Sequence, residues 1–123
     1  MLREIANVRQ NNPELRRRWF RDDYFDIFVW QSTHGEITGL QLCYDLSGRE
    51  RVLSWRQAGG YVHEAVDDGE QSPLRNRTPI FVADGVLPVD TVLKEFTERS
   101  CGLESALSLF IAERLKEYSA REI

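Results

Sequence analysis

Ser54, His63 and Asp26 have the side-chain types of a hydrolytic triad, in which a carboxylate orients an imidazole and the imidazole takes a proton from a hydroxyl. Cys43 with His63 would be the thiol version of the same chemistry. The acidic segment from His63 to Glu70 has carboxylates enough to suggest a divalent cation. It has neither the ligand spacing of a calcium loop nor a second histidine at helical spacing. His34, the only other histidine, falls beside Gly35 in a predicted hairpin turn. The run Arg16-Arg17-Arg18-Trp19-Phe20-Arg21 interleaves cations and aromatics as a single-strand nucleic-acid platform does. Asp22, Asp23 and Asp26 follow at once and weaken the local field, so the run reads as a solvated segment leading into a strand.

Whether these groups meet depends on the strands that carry them. Three consecutive apolar runs, Tyr24 to Trp30, Ile37 to Asp45 and Arg51 to Arg56, alternate as strands. Two-residue turns at His34-Gly35 and Ser47-Gly48 place Val29 beside Leu40 and Trp55, and Ile27 beside Leu42 and Leu53. A slip of one residue in either hairpin would send half of that apolar set to the other face, so the agreement of the two hairpins specifies the register.

A further turn at Gln57 to Gly60 leads to a fourth strand, Tyr61 to Val66, and predicts the rows on the opposite face. These are Trp30, Gly39, Arg56 and Tyr61, then Phe28, Gln41, Ser54 and His63, then Asp26, Cys43, Val52 and Ala65. Strands lie about 4.8 Å apart, which sets Asp26 roughly 14 Å from His63 and Cys43 roughly 10 Å from it. Both are too far for proton transfer in an open sheet, and no Gly-x-Ser-x-Gly elbow is present. No catalytic, metal or cofactor-binding residue is therefore assigned. What the rows do offer is a surface of Phe28, Trp30, Gln41, Ser54, Arg56, Tyr61 and His63, richer in aromatics and hydrogen-bonding groups than a merely solvated face. Trp30 would lie over Gly39, and Arg56 could stack on Trp30 or Tyr61.

The remaining elements frame this sheet. Thr78 to Ala83 reads as a fifth strand, and the polar stretch Asp67 to Arg77 before it is the longest loop. Asp84-Gly85 is turn chemistry. A helix starts between Leu87 and Asp90, with Pro88 in its first turn and Val89, Val92, Leu93 and Phe96 as its apolar stripe. Gly102 is expected to end it in a left-handed conformation. A second helix follows, with Leu103, Leu107, Phe110, Ile111 and Leu115 on one face. Met1 to Gln10 carries Leu2, Ile5 and Val8 at helical spacing and is stopped by Asn11-Asn12-Pro13, giving a short N-terminal helix or an arm over residues 1–16. Strands first and helices last define an α+β domain over residues 1–123, an antiparallel meander of about five strands with two C-terminal helices on one face.

Composition bounds the function. Hydrophobic residues make up 41% and charged residues 29%, an ordinary globular balance. The net charge of −4 argues against nucleic acid. No signal peptide or membrane-length apolar run is present, and Cys43 and Cys101 do not make a disulfide framework, so a cytoplasmic protein without a membrane anchor is expected.

The strings DDYFDIFVW (Asp22 to Trp30), GLQLCYD (Gly39 to Asp45) and TPIFVADG (Thr78 to Gly85) resemble those of a family of short uncharacterised bacterial proteins. The resemblance implies a bacterial cytosolic origin and an α+β domain, and carries no activity, cofactor or site residue with it. The leading expectation is a non-enzymatic protein that contacts a protein partner or another copy of itself. A small-ligand-binding domain or enzyme using a curled sheet is the alternative. A cavity among Trp30, Gln41, Ser54, Arg56 and His63 would favour the ligand, and a flat face would favour association.

Overall fold

Alternation of apolar and polar residues drives most of this chain into strands, because each strand can then bury one face and leave the other exposed. The computed structural model describes residues 1–67, 80–83 and 87–121. Its strands are β1 (Arg3–Glu4), β2 (Leu15–Arg21), β3 (Phe25–Ser32), β4 (Ile37–Tyr44), β5 (Arg51–Arg56), β6 (Gly60–Asp67) and β7 (Ile80–Ala83). They form one antiparallel sheet in sequence order, a six-strand meander from β2 to β7 with the two-residue β1 added at one edge. Helices α1 (Val89–Arg99) and α2 (Ser105–Arg121) cover one face. The long loop Asp67 to Arg77, apart from Asp67, and the turn Asp84-Gly85 lie outside the described residues, as do Thr78 and Pro79 of the expected fifth strand.

The expected register holds across β3, β4 and β5. Val29 pairs with Leu40 and Leu40 with Trp55, while Ile27 pairs with Leu42 and Leu42 with Leu53. All six are buried, in one core with Phe20, Phe25 and Tyr44 from the sheet and Leu87, Val92, Phe96, Leu107, Ile111 and Leu115 from the helical layer. The turns that deliver this register differ from the expected ones. The first is a three-residue loop, Thr33 to Gly35, closed by the Ser32 amide donating to the Glu36 carbonyl at 2.8 Å, with Gly35 at φ 86°. An irregularity after Trp30 absorbs the extra residue and restores the pairing. The second hairpin opens into a loop between Tyr44 and Arg51, with Asp45 at φ 59°, and keeps the same alignment.

Three expectations are corrected. The N-terminus is a strand and docked arm instead of a helix: Leu2 is buried, its amide donates to the Arg99 carbonyl at 2.9 Å, and Arg3 and Glu4 pair with Arg21 and Phe20. A ten-residue helix would pay the nucleation cost for little burial, whereas the edge of β2 offers unpaired backbone groups to join. Further along that edge the Gln10 carboxamide takes the place of a strand, accepting from the Arg17 amide and donating to the Arg17 carbonyl.

The arginine run is likewise a strand, β2, not a lead-in. Arg18 is buried against Glu4 and Glu104, and Phe20 enters the core. Finally, α1 ends at a Ser100 cap of φ −92°, and Gly102 has no left-handed conformation.

Candidate functional site

Across β2 to β6 the face away from the helices is built from alternate residues, so the ladder pairings place them in rows. One row runs Arg17, Trp30, Gly39, Arg56 and Gly60, the next Trp19, Phe28, Gln41, Ser54 and Val62, and the third Arg21, Asp26, Cys43, Val52 and Glu64. Five of the seven expected surface residues, Phe28, Trp30, Gln41, Ser54 and Arg56, are therefore together on this face.

Tyr61 and His63 are not among them. The last turn has three residues, Gln57 to Gly59, and Gly60 at φ 78° re-enters the ladder opposite Arg56. A turn running through Gly60 would have paired Arg56 with Tyr61, so β6 is shifted by one residue and turns its other side to the helices. Tyr61 now pairs with Trp55 and His63 with Leu53 on the core face, while Val62 is half exposed on the other. The shift is accommodated by polar partners, one in the core and one at its edge. The Tyr44 hydroxyl and His63 Nε2 share a hydrogen bond at 2.7 Å with their rings parallel. Tyr118 of α2 lies against both Tyr61 and His63, and the Tyr61 hydroxyl donates to Glu117.

This placement removes both catalytic arrangements. Ser54 and His63 are on opposite faces of the sheet, as are Cys43 and His63. Cys43 is also buried, and burial, reinforced by the charges of Glu50 and Asp26, pushes its thiol up to about 12, far from a neutral-pH thiolate. Among the described residues there is no cluster of three potential metal ligands, and Cys43 and Cys101 are both free.

What the face holds is an aromatic ladder braced by arginines. Trp19 stacks on Phe28 with ring centroids 5.4 Å apart, and Phe28 tilts against Trp30 at 6.3 Å. Arg17 lies over Phe28 and Arg21 over Trp19, each at 5.9 Å. The Trp19 indole donates to Asp26, which also faces Arg21 at 3.8 Å. Trp30 covers Gly39 as expected: a Cβ there would stand 3.4 Å from its ring, so glycine lets the indole approach the strand closely. Arg56 stacks on neither Trp30 nor Tyr61 among the described contacts. It borders a pocket of about 340 Å³ whose wall includes Trp30, Gly39, Gln41, Ser54 and Arg56.

Sequence reasoning weighed Arg17, Trp19 and Arg21 only as a nucleic-acid platform and set them aside as a solvated lead-in, so it did not place them on this face. Their alternation with Arg16, Arg18 and Phe20 was the available signal, masked because four of the seven residues in β2 are arginines. Ion pairs hold the frame around this face. Arg18 reaches Glu4 at 2.8 Å and Glu104 at 2.5 Å, so hydrogen bonds to Arg18 hold both carboxyls below the usual carboxylate range. Arg99 ties α1 to Asp22 at 3.1 Å and to Asp23 at 2.5 Å. Burial alone would raise the Asp22 pKa, but the amides of Phe25 and Tyr24 and the Arg99 guanidinium overcome it and lower it. No helix among the described residues is long and apolar enough to cross a membrane.

No protein family, curated protein or solved structure matches this chain.

Proposed function

We propose that the protein is a non-enzymatic binding domain that works by association through the sheet face opposite α1 and α2, with a second copy of the same chain as its first partner. The observation that carries this reading is the Trp19, Phe28 and Trp30 ladder with Arg17 and Arg21 over its rings. Aromatic and arginine side chains of this kind dominate interface energetics. The face also bears charges of both signs, Arg17, Arg21 and Arg56 with Asp26 and Glu64, and a two-fold interface needs a patch that complements itself.

Sedimentation velocity over a range of concentrations tests the reading. The wild-type chain should shift towards a dimer as concentration rises, and a folded Trp30→Ala/Arg56→Ala variant should stay monomeric. If the variant keeps its far-UV dichroism and associates as the wild type does, this face is not the contact. A chain that stays monomeric at every concentration removes the second copy as partner.

A second reading, a small-ligand site, is favoured by the concavity beside Trp30, which is lined by four of the five residues expected around a ligand cavity, Trp30, Gln41, Ser54 and Arg56 without His63, and falls at the small end of the range for ligand pockets.

A further inference from the structure

We infer that the pocket beside Trp30 is a carboxylate-recognition site, taking a monocarboxylate whose acid group adjoins a flat apolar portion. The inference deepens the binding reading of this face, but it rests on the pocket's donor set and not on association. Three groups from two adjacent strands converge there: Gln41 and Ser54 are direct cross-strand partners, and Arg56 is paired to Gly39, one step along the same face. Diagonal neighbours of this kind stand about 7 to 8 Å apart, a span that one carboxylate between long side chains bridges.

Among the described residues, no side-chain hydrogen bond or ion pair engages the Arg56 guanidinium, the Gln41 carboxamide or the Ser54 hydroxyl. This contrasts with Arg18 and Arg99, which are both committed to carboxylates of the protein itself. A guanidinium presents two parallel N–H donors that match the two oxygens of a carboxylate, and the amide and hydroxyl can donate to the remaining lone pairs.

Charge and shape narrow the class. Among the described residues, Arg56 is the only charged one lining the pocket, so the site balances one negative charge and not the two of a phosphate monoester. The Trp30 ring, packed over Gly39, supplies an apolar wall. A planar group attached to the acid would lie along it, and a volume of about 340 Å³ suits one such group.

The test is an NMR titration of the full chain with benzoate, benzamide, N-acetylphenylalanine and its amide. Benzoate stands for a free small acid and N-acetylphenylalanine for the carboxylate at the end of a peptide chain. At least one acid should shift the Trp30 indole and Arg56 Nε–H resonances with millimolar affinity, and its amide should bind about tenfold or more weakly. Whichever acid binds more tightly identifies the source of the carboxylate. Arg56→Gln should abolish the preference for acid over amide, and Gln41→Ala and Ser54→Ala should each weaken acid binding several-fold. Equal response to acid and amide, no response to either acid at tens of millimolar, or a preference that survives Arg56→Gln would overturn the inference. Acid binding by a chain that never dimerises leaves this inference standing while the association reading falls, and a dimer indifferent to both acids does the reverse.

Discussion

Gly60 decides which side of β6 joins the candidate surface, and two alanine substitutions test that role directly. Its φ of 78° is a conformation that L side chains resist, and a Cβ built there meets nothing within 4 Å. The cost of Gly60→Ala is therefore backbone strain alone, about 1 to 2 kcal/mol, less about 0.4 to 1 kcal/mol recovered because alanine restricts the unfolded chain. A net loss of about 1 kcal/mol is expected. Gly59 is the control. It is not in the left-handed region, and a Cβ there makes only an ordinary contact with the Arg56 side chain at 3.6 Å. Gly59→Ala should be neutral or stabilise by about 0.4 kcal/mol. Urea unfolding at equilibrium would read the difference as a midpoint lower by roughly half a molar or more for Gly60→Ala than for Gly59→Ala. Equal midpoints, or a greater loss at Gly59, would refute the three-residue turn. They would return Tyr61 and His63 to the open face.

Two further outcomes are expected. Arg18 holds the Glu4 and Glu104 carboxyls below their ordinary values, so its ion pairs stabilise the fold above the unfolded carboxylate pKa and lose that contribution as pH falls through the lowered folded values. Arg18→Gln should accordingly lower the thermal midpoint at pH 7, with the gap to wild type closing below about pH 4; a gap that stays constant with pH would place the role of Arg18 in packing alone. With a thiol agent at pH 8, the exposed Cys101 should react quickly, while Cys43, buried and with its thiol pushed up to about 12, should react only on unfolding; two fast thiols in the native protein would contradict the burial of Cys43.

The two-strand period was legible because it survives ignorance of the turns. Ile27, Val29, Leu40, Leu42, Leu53 and Trp55 find one face whether the first hairpin closes in two residues or in three with a compensating irregularity, since burying them is what selects the pairing. The same alternation placed Phe28, Trp30, Gln41, Ser54 and Arg56 together on the other face. Helical spacing near the C-terminus gave the stripes of Val92 and Phe96 and of Leu107, Ile111 and Leu115, all now in the core.

Tertiary structure decided the rest, wherever local pattern was ambiguous and a distant partner settled it. Leu15–Arg21 reads as polar until Glu104, 86 residues away, neutralises Arg18 and lets Phe20 enter the core. With that strand in place, Trp19 and two arginines join the surface. Tyr61 to Val66 alternates equally well either way round, and burying Val62 would have been the simpler choice. Gly60 sets the turn, Tyr44 supplies the partner that the buried His63 needs, and α2 packs Tyr118 on both rings and takes the Tyr61 hydroxyl at the core's edge through Glu117. A buried polar group costs free energy unless it is hydrogen-bonded, so the turn at Gly60 and partners distant in sequence together determined which side of β6 faces inward.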